Sequence, residues 1–109
     1  MEFKESKSGE FWVIALVGSL DTPKHMELQR KLLGIIESGE KYIVVDCSGL
    51  TYISSSGLRI LLVVLKKIAN SGGTLRLAGL RDNIREILVI AGFTSIFSIF
   101  TSVDEAVKS

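Results

Sequence analysis

The chain has 109 residues, 47% of them hydrophobic, which is enough for one compact core and too little for two ordinary domains, so a single domain over residues 1–109 is expected. Thirteen Lys and Arg against twelve Asp and Glu give a formal charge of +1, leaving no whole-molecule field to attract nucleic acid or an anionic membrane. One cysteine, Cys47, and one histidine, His25, exclude an intrachain disulfide and a zinc ligand set, and a reducing, cytoplasmic location fits the polar start MEFKESKSGE and apolar runs too short to cross a bilayer.

In chain order, residues 1–7 are expected as an edge strand, turning through Ser8, Gly9 and Glu10 into FWVIALV (11–17). That continuous aromatic and β-branched run suits a strand buried on both faces. Residues 23–37 have helical spacing, with Leu28, Leu32, Leu33, Ile35 and Ile36 on one side and Lys24, Glu27, Arg30 and Lys31 on the other. Thr22 is the expected N-cap before Pro23, and Ser38-Gly39 the stop. A second buried strand, YIVVDCS (42–48), precedes the segment TYISSSGL (51–58).

A helix over 57–69 follows, then a strand from Thr74, where Leu75 and Leu77 alternate with Arg76, as they do nearer the edge of a sheet. A third helix over 82–91 is closed by Gly92 and Phe93, the glycine-then-hydrophobe pattern of a Schellman ending. Residues 102–108 suit one short helix more. Phe11, Trp12, Phe93, Phe97 and Phe100 are expected in the core, and Cys47, on a buried strand, as a small hydrophobe. Strands alternating with helices predict an α/β fold: a small mixed, largely parallel sheet of four or five strands with helices packed on it.

Three consecutive serines stand where a buried strand meets the head of the second helix. The first turn of a helix has backbone N–H groups without intrahelical partners and the positive end of the dipole, so it welcomes serine oxygens or an anion. One of Ser54, Ser55 and Ser56 suffices as an N-cap. The redundancy leaves two other readings open, a phosphate-binding turn and a phosphorylation site. The first lacks the glycine spacing and lysine of a P-loop.

Along the second helix, at about 100° per residue, Leu58, Leu61, Leu62, Leu65, Ile68 and Ala69 form one face, with Val64 at its margin, and Arg59, Lys66, Lys67 and Asn70 lie opposite. Ile60 and Val63 then fall in or beside the polar sector. An apolar pair ringed by cations next to the serine loop fits a protein-binding surface.

The succession ALVGSLDTP, YIVVDCSGLTYISSSGLRILL, GGTLRLAGL and ILVIAGF, spanning nearly the whole chain, resembles the bacterial anti-sigma factor antagonists of the STAS domain family. In that family the loop reads Asp-Ser-(Ser/Thr/Ala)-Gly-Leu, and the serine after the aspartate is phosphorylated by a partner kinase that also serves as the anti-sigma factor. The resemblance implies Ser55 as the acceptor, with Ser56 second, and sets Asp21, Ser54, Ser56 and Gly57 at the loop; together with Arg59, Ile60 and Val63 from the helix face read above, these are the expected partner contacts. Asp46 matches the acidic residue of the family's DLSG-like segment. The chain departs from the pattern at Ser54, where the family has aspartate.

The implied partners are an anti-sigma factor of serine kinase type and a phosphatase of PP2C type. ATP would be bound by the partner, and no cofactor, metal, nucleic acid or membrane is expected, with the chain a monomer or weak dimer. Two other classes stay open. An enzyme would use Ser55 as nucleophile and His25 as base, which no spacing supports, and non-catalytic function is the expectation. A scaffold or sensory domain of the same family would bind a protein or small ligand without a phosphate cycle.

Overall fold

The computed structural model describes residues 2–108, except for the side chains of residues 22 and 23. Five strands form one sheet in the order β1-β2-β3-β4-β5. β1 (Glu2–Ser8) pairs antiparallel with β2 (Phe11–Leu20), and β3 (Tyr42–Ile53), β4 (Thr74–Ala78) and β5 (Ser98–Phe100) continue parallel to β2. Four helices lie between and after them: α1 (Thr22–Glu37), α2 (Ser55–Asn70), α3 (Asp82–Ile90) and α4 (Val103–Lys108). This is the mixed, largely parallel α/β sheet the sequence predicts.

The unbroken apolar runs of β2 and β3 are explained by burial on both faces. Ile14, Leu16, Ile43, Val45 and Cys47 join Leu28, Leu32, Leu61, Val64, Ile84 and Leu88 in the main core, on the side of α1, α2 and α3. Phe11, Val13 and Val44 point the other way, into a smaller core with Ala78 and Ala106 of α4. In β4, Leu75 and Leu77 are buried, while Arg76 lies half-buried over the rings of Phe11 and Phe100, 4.9 and 5.4 Å from their centroids. β4 is one strand in from the edge because β5 lies beyond it. At three residues, β5 is too short for any periodicity and was not expected from the sequence.

Element ends follow local chemistry. Gly92 takes φ +77, its N–H donates to the Val89 carbonyl at 3.0 Å, and the Phe93 N–H reaches back to Leu88 at 2.9 Å. This is the predicted Schellman ending in full. α1 begins one residue before the expected start, so Asp21 rather than Thr22 occupies the N-cap position, and its side chain makes no cap hydrogen bond. The side chains of Thr22 and Pro23 lie outside those described, as does Met1 of the expected edge strand. Cys47 is buried, and its burial, with Asp46 beside it, pushes the thiol up to about 12. Trp12 and Phe93 are half-buried, and the Trp12 indole N–H donates to Glu5 Oε1 at 3.1 Å.

Candidate functional site

β2 and β3 end together, with Leu20 in register with Ile53. The next bond fixes the junction: the Ser54 N–H donates to the Leu20 carbonyl at 3.0 Å. Asp21 follows Leu20, and its carbonyl accepts the N–H groups of Lys24 and His25, both at 3.0 Å. The heads of α1 and α2 therefore start side by side at the carboxyl ends of two parallel strands, where α/β folds place their binding sites.

The three serines have different roles. Ser54 has extended backbone (φ −82, ψ 168) and is the N-cap of α2. Its Oγ accepts the Gly57 N–H at 3.1 Å, and its carbonyl accepts that of Leu58 at 3.0 Å. Ser56 is half-buried, its hydroxyl 3.2 Å from that of Ser54. Ser55, the first residue of α2, is exposed and has no side-chain hydrogen bond in the structure. The capping demand and the presence of a free hydroxyl are thus both met, by adjacent residues.

Gly57 is buried, and a Cβ there would lie 3.0 Å from both Leu20 Cγ and Ile53 Cγ1. Its place in the site is steric: it seats the first turn of α2 on the two strand ends and offers no contact surface to a partner. Expected contacts Asp21 and Ser56 are half-buried, and Arg59 and Val63 are exposed. Ile60 is not: it is 6% exposed and belongs to the main core. The buried stripe of α2 is Gly57, Ile60, Leu61, Val64 and Ile68, with Leu58, turned about 60° from the face read from the sequence. The reason is a second neighbour. α2 packs on α1 as well as on the sheet, so its apolar arc widens on the α1 side to take in Ile60 and Val64, while Ala69 is left exposed.

Besides Ser55 and Ala69, the exposed residues of α2 are Arg59, Val63, Lys66, Lys67 and Asn70. The last four, with Leu33 and Glu37 of α1, line an open groove of about 370 Å3 toward the far end of the helix from Ser55. No acidic residue occurs anywhere in α2.

Sequence reasoning did not single out three residues around the loop. Tyr52, 49% exposed, points outward just before Ile53 turns in, as strand alternation requires. Arg81 and Asn83, at the start of α3, donate to the carbonyls of Ser48 and Thr51 at 3.0 and 3.1 Å. They satisfy the part of β3 that runs on past its last pair with β4, Asp46 with Ala78, a role that only the strand lengths reveal. Asp46 turns back on its own strand, Oδ1 accepting the Ser48 N–H at 3.0 Å. No hydrogen bond joins Ser55 to His25, whose Nδ1 is buried without a partner. Among the described residues no group of three or more His, Cys, Asp or Glu is placed to hold a metal, and no helix is long and apolar enough to cross a membrane.

Comparison with known proteins gives this arrangement a family. A STAS domain model matches residues 4–106. BtrV of Bordetella bronchiseptica, whose name classes it with the anti-sigma factor antagonists, is 33% identical over 106 residues, covering 97% of this chain and 91% of its own. A crystal structure from Thermotoga maritima described in the same terms superposes with a TM-score of 0.92 at 19% identity, covering 97% of this chain and 92% of its own. The antagonist SpoIIAA in its unphosphorylated form has a TM-score of 0.76 at 20% identity, covering 98% and 96%. The Bacillus SpoIIAA in its phosphorylated form gives 0.77 at 21%, covering 98% and 97%. The chain therefore belongs to the STAS domain family and groups with its anti-sigma factor antagonists.

Proposed function

We propose that this protein is an anti-sigma factor antagonist, switched by phosphate on Ser55. Unmodified, the Ser55 loop and the outer face of α2 dock in the cytoplasm onto an anti-sigma factor of serine kinase type, which then releases its sigma factor. The observation that carries the reading is the contrast among the serines: Ser54 and Ser56 hold each other and the helix cap, while Ser55 is exposed and unbonded. A kinase can reach the Ser55 hydroxyl without breaking an internal bond. The existence of a phosphorylated SpoIIAA structure of the same fold supports the same chemistry here.

Phosphate adds a charge of about −1.5 to −2 and three acceptor oxygens. At the first position of α2 the helix dipole favours that charge, so the core need not rearrange. At the docking surface, a desolvated phosphate without a matching partner group costs several kcal/mol, and each 1.4 kcal/mol is about tenfold in affinity. A PP2C-type phosphatase would return the chain to its binding state, with ATP handled by the partner alone.

The test is to incubate the protein with its cognate kinase and ATP, locate phosphate by mass spectrometry, and titrate binding by calorimetry. Stoichiometric phosphate on Ser55 is expected, absent in Ser55→Ala. Ser55→Glu should bind at least tenfold more weakly than the unmodified chain. Binding of Ser55→Glu at full strength would overturn the proposal.

A further inference from the structure

Arg59 stands one helical turn after Ser55, is exposed, and makes no ion pair or hydrogen bond in the structure. Residues four apart on a helix are neighbours on its surface, with Cβ atoms about 5–6 Å apart. Every Cα–Cβ bond tilts toward the helix amino end, so a long side chain at 59 leans toward position 55. The favourable order is the acid first and the cation four residues later, as here. No carboxylate within α2 competes for the guanidinium, because the segment SSGLRILLVVLKKIAN contains none.

From this geometry, and resting on the phosphate switch proposed above, we infer that Arg59 is the internal receptor for the Ser55 phosphate. The guanidinium pairs with two phosphate oxygens in the planar, bidentate manner that suits arginine. Phosphorylation then changes the docking face twice. It adds a dianion at position 55, and it withdraws from the partner the first cation of α2, leaving Lys66 and Lys67 further along. Arg59 is a positioning residue of the switch: it touches the partner in one state and the phosphate in the other. The other charged or titratable groups by the loop include Asp21, Lys24 and His25 at the head of α1, Tyr52 at the end of β3, and Arg81 at the start of α3, whose guanidinium donates to the Ser48 carbonyl. None of these is changed by substitution at 59.

The test installs phosphoserine at position 55 of the full chain by genetic encoding, so that no kinase is involved, and follows the phosphate by 31P NMR across pH 4–8. The second ionisation should fall at lower pH in the parent than in Arg59→Gln, by about 0.15 to 0.4 unit, the size of a helical ion pair. Arg59→Lys should recover part of the difference. Superimposable titrations of all three proteins would overturn the inference. Amide spectra of the unmodified variants establish that each is folded. Whether a kinase modifies Ser55 is read separately and bears on the switch, not on the pair.

Discussion

The Ser54 hydroxyl accepts the Gly57 N–H at 3.1 Å, and that bond decides which serine is left for chemistry. With Ser54 committed to the cap and Ser56 held 3.2 Å from it, Ser55 is presented alone. Ser54→Ala should lose about 1 kcal/mol of stability through the lost cap, and Ser54→Asp, another strong capping residue, should keep it. For a domain of this size 1 kcal/mol corresponds to about 4–8 °C in melting temperature, readable by thermal or urea denaturation.

Gly57 gives a sharper structural test. Alanine is a better helix former by about 1 kcal/mol, but its methyl would meet Leu20 and Ile53 at 3.0 Å, and both are buried. Overpacking of this kind costs about 1–3 kcal/mol, so Gly57→Ala should be net destabilising. Ser55→Ala, at an exposed position, should stay within about 0.5 kcal/mol of the parent.

Ile60 and Val63 should separate stability from binding. Ile60→Ala empties part of the core between α1, α2 and the sheet and should cost about 2–5 kcal/mol, a large share of the 5–15 kcal/mol typical of a domain. Val63→Ala, at 39% exposure, should leave the urea midpoint nearly unchanged and weaken binding to the anti-sigma factor. Denaturation and calorimetry on the same two proteins read both effects.

Burial of Cys47 sets an alkaline limit. The folded thiol ionises at about 12, against an ordinary value of 9.0. The unfolded chain therefore gives up this proton first as pH rises. Above pH 9 the unfolded state binds fewer protons than the folded one, so stability falls with pH through the window from 9 to 12. Cys47→Ala should remove that slope while costing some packing, and the parent thiol should resist alkylation at pH 8 until the protein is unfolded.

Much of the fold was legible because its signals are local. The double-sided strands show as unbroken apolar runs in residues 11–17 and 42–48, and the end of α3 as Gly92 followed by Phe93. The orientation of α2 was not legible. A periodic pattern reports where apolar residues cluster, and α2 has a cluster broad enough to suit two faces. Only the presence of α1 on one side decides that Ile60 is inside and Ala69 outside. β5 left no trace in the pattern, since three residues complete neither period. At the site, the run of serines announced a helix head, but the division of labour within it depends on the helix starting at Ser55 rather than at Gly57. The placement of Arg81 and Asn83 needed the full length of β3, which the sequence reading ended at Ser48 and the structure carries to Ile53.

That extension has a dynamic consequence. From Cys47 onward β3 is laddered to β2 alone, through a register interrupted between Ala15 and Val17 and again between Gly18 and Ser19. Among the described residues, the hydrogen bonds on its other margin come from the side chains of Arg81 and Asn83 at the start of α3. Deuterium should therefore enter the amides of residues 48–52 well before those of residues 43–45, which are laddered on both sides. The segment that carries the serine loop is tethered more lightly than the sheet it grows from, so it opens at a lower free energy than the strands behind it.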